Sequence, residues 1–318
     1  MATLPFTKVE GLGNDFVVVD LRGAAEGQGD ATAVSIQTPA VVRAVCDRHF
    51  GVGADGVLAI LPGVDGDARM RVLNADGSEA EMCGNGIRCV AKVLYDGDAS
   101  MRRPVLRIDT GAGLLACAID AEDGQAQSVA VEMGSPRLAR AEIPMNPGGT
   151  ERAVRAPISA HGRRFKMTAV SMGNPHAVIF VDDPEADLRA LAEEFGPAIE
   201  VDPLFPRRTN VEFARIRAGV KRAAADLGAI GAAEIDLVVW ERGCGITLAC
   251  GTGACATVAA ACVEERLHPG VETPVHLPGG TLHITVAPDL GGVRMRGPAV
   301  TVFRAELDLA RFAHAQPG

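Results

Sequence analysis

The chain has 318 residues, 47% of them apolar but only 4% aromatic, and a formal charge of -9 at neutral pH. That length suits two domains of ordinary size, with cores built mainly from Ala, Val, Leu and Ile. The acidic balance without any Lys/Arg block argues against a nucleic-acid partner, and no run approaches the roughly 18 apolar residues of a membrane span.

Taken in chain order, most of the sequence reads as short strands, enriched in Val and Ile or alternating with period two, and bounded by Gly, Asp and Pro. Phe16–Asp20, Val57–Leu61 and Met70–Leu73 come first, followed by a predicted helix over Gly86–Tyr95. Strands Val105–Asp109, Leu114–Ile119, Val129–Glu132, Lys166–Met172 and Ala177–Val181 follow. A charged, amphipathic helix is expected over Pro184–Phe195, on the outside. Strands Val211–Ile216 and Ile235–Trp240 precede another helix over Gly253–Val263, and Thr281–Val286 and Ala299–Phe303 close the series. The Gly253–Val263 segment is apolar almost all round, so it is expected to be buried on every side. Ala24–Thr38 and Ala218–Ala233 read as surface insertions.

The halves match in order. Gly13-Asn14 and Gly173-Asn174 each precede a strand, and Asn74 and Glu241 each stand nine residues before a cysteine. These features predict an α+β fold of two similar domains, each a mixed, mostly antiparallel sheet wrapped around a central buried helix, with the active site in the interdomain cleft. The expected division is 1–127 plus about 299–318 for the half carrying Cys83, and 128–298 for the half carrying Cys250.

Two strings carry the chemistry: Met82-Cys83-Gly84-Asn85-Gly86 and Ala249-Cys250-Gly251-Thr252-Gly253. Composition alone predicts roughly 0.1 Cys-Gly-x-Gly strings in such a chain. A cysteine at a helix start has its thiolate favoured by unpaired N–H groups and the macrodipole. Glycines after each cysteine leave those N–H groups bare, so a carboxylate can approach. Two such helix ends sharing one carboxylate would set its α-carbon between two sulfurs. One sulfur, as thiolate, would take a proton while the other, as thiol, gives one, with donors stabilising the charge that builds on the carboxylate. Such an arrangement inverts a stereocentre without a cofactor.

The chain resembles the diaminopimelate epimerase family from Phe6 to about Phe303. The resemblance rests on Gly11-Leu12-Gly13-Asn14-Asp15-Phe16, Arg48-His49-Phe50-Gly51-Val52-Gly53-Ala54-Asp55-Gly56, Asn74-Ala75-Asp76-Gly77-Ser78 and Cys83-Gly84-Asn85-Gly86. Gly173-Asn174-Pro175-His176, Glu241-Arg242-Gly243 and Ala249-Cys250-Gly251-Thr252-Gly253 complete it. The resemblance implies epimerisation of LL-diaminopimelate to meso-diaminopimelate, in lysine and peptidoglycan precursor synthesis, with Cys83 and Cys250 as the two bases. Cys83 would take the proton from the L centre and Cys250 from the D centre. Gly84, Asn85, Gly251 and Thr252 would cradle the reacting carboxylate. Asn14, Asn74, Asn174 and Asn210 would hydrogen-bond the substrate, Arg242 would pair with the distal carboxylate, Glu241 would place an ammonium, and His176 would be an auxiliary polar group. A zwitterion with charged ends needs such groups, and no metal or cofactor is expected. Gly56, Ile246 and Lys8-Val9-Glu10 depart from the family's common residues and bear on the outer shell of the pocket.

The expected partners are a small-molecule substrate and a second copy in a homodimer, with no nucleic acid and no membrane. Met1–Glu10 lacks a cationic segment followed by an apolar one, and eight cysteines without framework spacing fit a reducing compartment, so a cytoplasmic location is expected. Blander readings stand beside these. Cys46, Cys89, Cys117, Cys244, Cys255 and Cys262 read as small apolar residues. The asparagines could be turn residues, Glu241-Arg242 a surface ion pair, and His176 a structural histidine. Asp55 and Asp76 read as turn formers. A proline-type racemase, a thiol redox switch using Cys83 and Cys250, and a non-catalytic binding protein are the competing functions. Asn85 with Glu241-Arg242 favours a long substrate over proline.

Overall fold

A computed structural model describes residues 3–23, 35–217 and 233–312. The expected insertions fall largely outside them, at 24–34 and 218–232. In chain order the elements are β1 (Thr3–Gly11), β2 (Asn14–Asp20), α1 (Pro39–Cys46), β3 (Gly56–Pro62), β4 (Ala68–Asn74), β5 (Glu79–Ala80), α2 (Gly84–Gly97), β6 (Val105–Thr110), β7 (Gly113–Glu122) and β8 (Gln125–Glu132). Then come β9 (Ala156–Ala160), β10 (Arg163–Ser171), β11 (Pro175–Phe180), α3 (Leu188–Glu200), β12 (Asn210–Arg217), β13 (Glu234–Glu241) and β14 (Gly245–Ile246). The series ends with α4 (Gly251–Val263), β15 (Thr273–Leu277), β16 (Gly280–Val286), β17 (Val293–Pro298) and β18 (Val300–Asp308). The fold is α+β and dominated by strands. It forms two units, Met1–Val131 with Gly297–Gly318, and Glu132–Arg296.

In the first unit β18, β1 and β2 pair antiparallel, and β2 runs parallel to β3. β4 pairs antiparallel with β3 and β5 and parallel with β6, and β6, β7 and β8 continue antiparallel. The second unit repeats this sequence of pairings. β9, β10 and β11 are antiparallel, β11 is parallel to β12, and β13 is antiparallel to β12 and β14 but parallel to β15. β16 and β17 then follow antiparallel. The helices repeat too: α1 and α3 each link the parallel pair, and α2 and α4 each follow a two-residue strand, β5 and β14. The duplication read from motif order is therefore present in the topology of both units.

Each parallel pair is covered by a helix on either face. On one face of the first sheet, Val17, Val19, Val57 and Ala59 pack with Val41, Val42 and Val45 of α1. The alternate residues of the same strands, Phe16, Val18 and Leu58, are also buried and face α2 by the period of the strand. In the second unit Ala177, Ile179, Val211 and Phe213 join Leu188, Leu191, Phe195 and Ile199 of α3. His176, Val178, Asn210 and Glu212 therefore face α4. Burial on both sides explains why these strands read as apolar runs rather than alternations.

α4 is buried along its length apart from Thr252 and Val263, as its apolar sequence predicts. Its one buried hydroxyl is satisfied, Thr257 Oγ1 donating to Gly253 O at 2.7 Å. α3 begins at Leu188, four residues later than expected, because Asp187 caps it, accepting from the N–H groups of Arg189 and Ala190. It is amphipathic as expected, and its apolar face lies on its sheet.

Candidate active site

The first site cluster is built on the β1–β2 hairpin and the start of α2. Leu12 (φ 59°) and Gly13 (φ 81°) close the hairpin in the left-handed region, which delivers Asn14 at the first position of β2. Cys83 is the N-cap of α2, its sulfur accepting from Gly86 N at 3.3 Å. The same sulfur lies 3.9 Å from Asn14 Oδ1, to which Asn85 Nδ2 also donates at 3.3 Å. Asn85 is held from behind by the fully buried Arg88, whose Nη2 donates to its Oδ1 at 3.0 Å and whose Nη1 donates to Gly84 O at 3.1 Å. Asn74 ends β4 and donates through Nδ2 to Ser78 Oγ at 3.0 Å, in a turn whose other polar group, Asp76, accepts from Ser78 N. Asn14 thus touches both Cys83 and Asn85.

Asp55 does more than shape a turn. Its Oδ2 accepts from Asn14 Nδ2 at 2.7 Å and from Asp15 N at 3.0 Å, while Arg48 Nη2 bridges its other oxygen to Asp15.

The second cluster repeats the plan with different side chains. Cys250 is the N-cap of α4 and only 5% exposed. Its thiol is pushed well above the usual thiol range, first by burial and then by the charges of Glu241 and Glu212. Thr252 Oγ1 lies 3.6 Å from the sulfur and accepts from Asn174 Nδ2 at 3.3 Å. Asn174 Oδ1 meets His176 Nε2 at 3.0 Å, and His176 Nδ1 meets Glu212 Oε1 at 2.6 Å, both of the last two side chains being fully buried. His176 is therefore satisfied at both nitrogens, with Glu212 a partner that motif reading missed. The only sequence signal for Glu212 is an acid inside an apolar strand, between Val211 and Phe213.

Asn210, Glu241 and Arg242 come together at the facing ends of β12 and β13. Asn210 Oδ1 accepts from Arg242 N at 2.9 Å, and Asn210 Nδ2 donates to Pro175 O at 3.0 Å. Glu241 accepts from the Thr247 hydroxyl, and burial raises its carboxyl above the ordinary range. Arg242 is exposed and donates through Nη1 to Arg207 O at 3.0 Å; among the described residues no carboxylate pairs with it. Glu200, also absent from the motif reading, steadies this turn by accepting from Trp240 Nε1 at 2.8 Å and Gly243 N at 3.0 Å.

The second glycine of each cysteine string has a steric reason. A Cβ at Gly86 would stand 3.2 Å from both Cys83 Cβ and Leu58, and one at Gly253 would stand 3.1 Å from Glu212 Oε1 and 3.2 Å from Cys250 Sγ. The strand beneath each helix end is that close.

Burial pushes the Cys46, Cys89 and Cys117 thiols up to about 12 and Cys262 to about 11, which suits residues that pack rather than react. Cys255 is fully buried. Cys244 departs from that reading: it is exposed, because it lies in the tight turn between β13 and β14. Among the described residues no group of three His, Cys, Asp or Glu side chains is placed to hold a metal ion, and no helix is long and apolar enough to cross a membrane.

The diaminopimelate epimerase family model matches residues 6–139 and 168–302. The chain belongs to the diaminopimelate epimerase family. It is therefore an isomerase of the epimerase type. Diaminopimelate epimerase of Geobacillus thermodenitrificans is 42% identical over 302 residues, covering 95% of this chain and 96% of that protein. The enzyme of the same name from Desulfitobacterium hafniense is 45% identical over 306 residues, covering 96% and 98%. Among solved structures, a hydroxyproline epimerase from Agrobacterium vitis superposes with a TM-score of 0.64 at 19% identity, covering 96% of this chain and 91% of that one. At that identity it speaks to the fold alone.

Proposed function

We propose that the protein interconverts LL- and meso-diaminopimelate by passing protons between the α-carbon and two cysteines, Cys83 and Cys250. The observation that carries this reading is the paired cysteine N-caps, each with an asparagine-bearing hairpin end beside it, in a chain more than 40% identical to enzymes of that name. In the L-to-D direction Cys83, as thiolate, takes the α-proton, and Cys250, as thiol, gives its proton to the same carbon from the opposite side. The raised pKa of the Cys250 thiol suits it to be the proton donor. Carbanion charge moves onto the α-carboxylate, where the N–H groups at the starts of α2 and α4 receive it.

Asn14, Asn74, Asn174 and Asn210 position the substrate, with Gly84, Asn85, Gly251 and Thr252 around the carboxylate. Arg242 binds the distal carboxylate, a role its exposed guanidinium supports. Glu241 receives an ammonium, and His176 acts from behind Asn174 rather than on the substrate. The product serves lysine and peptidoglycan precursor synthesis.

The test is a chiral assay of LL-diaminopimelate against proline and hydroxyproline. Turnover of diaminopimelate with none of the cyclic amino acids is expected. Turnover of proline without diaminopimelate would overturn the substrate assignment.

A further inference from the structure

The two units carry the same topology but different chemistry beneath their cysteines. In the first unit the parallel strands pair Phe16 with Gly56 and Val18 with Leu58. In the second, the same positions pair His176 with Asn210 and Val178 with Glu212. Phe16 thus corresponds to His176 and Leu58 to Glu212. The correspondence holds at the helix ends, since Leu58 presses on Gly86 as Glu212 presses on Gly253. One cysteine stands over an apolar pair. The other stands over a fully buried carboxylate and imidazole.

Hydrogen-bond polarity along this second cluster is fixed by its atoms. Asn174 Oδ1 can only accept, so His176 Nε2, 3.0 Å away, carries a proton and donates it. Asn174 Nδ2 can only donate, and it gives its proton to Thr252 Oγ1 at 3.3 Å. The Thr252 hydroxyl proton is then free for the Cys250 sulfur, 3.6 Å away. The one short contact upstream, 2.6 Å between Glu212 Oε1 and His176 Nδ1, holds a single proton between them. Glu212 Oε2 has no partner among the described residues, and burial holds the Glu212 carboxyl above its ordinary pKa. Both fit a pair that is neutral overall.

We propose that Glu212 is a positioning residue for Cys250: through His176 it fixes the orientation of the Asn174 amide and so aims the Thr252 hydroxyl at the sulfur. The inference rests on the reading of Cys250 as an acid–base group. A donor on the sulfur stabilises the thiolate that Cys250 becomes after giving up its proton, and that it must be before taking one. Without Glu212 the His176 ring can adopt either tautomer, the Asn174 amide either orientation, and the hydroxyl loses its fixed direction. The other ionisable groups acting on this cluster are Glu241, whose carboxyl hydrogen-bonds the Cys250 thiol and whose charge raises it, and His176 itself.

The test compares Glu212→Leu, which copies Leu58 of the first unit, with the isostere Glu212→Gln. Gln can donate to His176 Nδ1 and so keep the proton on Nε2. For Glu212→Leu the expected kcat is about 10- to 100-fold lower, the scale on which supporting groups act through the group they orient. KM should stay within about threefold, and Tm should fall because His176 Nδ1 is left buried without a partner, whereas the double variant Glu212→Leu/His176→Phe, which removes both polar groups, should hold its Tm. Glu212→Gln should recover most of the rate. A Glu212→Leu enzyme with normal kcat overturns the inference. So does a loss carried by KM rather than kcat, or a Gln variant as slow as the Leu variant. If Glu212→Leu misfolds, Glu212→Gln with full rate and a doubly apolar Glu212→Leu/His176→Phe protein that folds but turns over slowly support it. That same double variant at full rate rejects it. Cys250→Ala run alongside separates the two readings: an active Cys250→Ala protein rejects the two-cysteine scheme itself, whereas an inactive one beside an active Glu212→Leu protein rejects only the role of Glu212.

Discussion

Asp55 holds Asn14 by its amide nitrogen, at 2.7 Å, and thereby turns the amide oxygen of Asn14 toward Cys83 and Asn85. Asp55→Ala frees that amide to rotate. A kcat/KM about tenfold lower is expected, equivalent to about 1.4 kcal/mol, the order of one hydrogen bond to a charged group. Steady-state kinetics on the variant check it, and an unchanged kcat/KM would show that the orientation of Asn14 is immaterial.

Glu200 supports the turn that carries Arg242, through Trp240 Nε1 and Gly243 N. Glu200→Ala leaves three donors, Trp240 Nε1, Gly243 N and the exposed Arg208, without their acceptor, at about 1–3 kcal/mol each where they are buried. KM for a substrate with a distal carboxylate is expected to rise about tenfold with kcat within about threefold. Equal KM values for variant and parent would remove Arg242 from substrate binding or Glu200 from its support.

Gly253→Ala would place a methyl group 3.1 Å from Glu212 Oε1 and 3.2 Å from Cys250 Sγ. Overpacking of this kind costs about 1–3 kcal/mol and displaces the sulfur. Activity is expected to fall further than the Tm shift alone explains, read by comparing kcat with thermal melts. A loss confined to stability would place the cysteine's position outside the requirement.

Alkaline pH is expected to destabilise the fold. Cys117 is pushed by burial to about 12 from an ordinary 9.0, so in the unfolded chain it ionises at lower pH than in the native one. The native state then binds the extra proton, and stability falls as pH rises from about 9 towards 12. Cys117→Val removes that titration. Melting curves between pH 8 and about 11 should show a shallower decline for the variant, and parallel declines would assign the alkaline loss to other groups.

Much of the fold was legible because the central strands and α4 are buried on both faces and so announce themselves as apolar runs. Glu79–Ala80 and Gly245–Ile246 escaped reading because two residues carry no period, and most of the other unread strands share a physical cause. Thr3–Gly11, Ala156–Ala160 and Thr273–Leu277 each contain a proline, which ordinarily marks the edge or end of a strand. The helix at Pro39–Cys46 has barely two turns, too short for its periodicity to stand out. The cysteine strings and the Gly-Asn hairpin ends were legible because their spacing is local. Asp55, Glu200 and Glu212 were not, because each matters through a partner 40 or so residues away, brought near only by strand pairing.

The most direct measurement is mass analysis of LL-diaminopimelate incubated with the reduced protein in heavy water, without added metal or cofactor. One deuterium at one α-carbon, appearing with the meso isomer, is predicted for the parent protein, and neither label nor epimerisation for Cys83→Ala or Cys250→Ala. Unlabelled substrate from the parent, or a normal rate of label entry in either cysteine variant, would contradict the two-cysteine account.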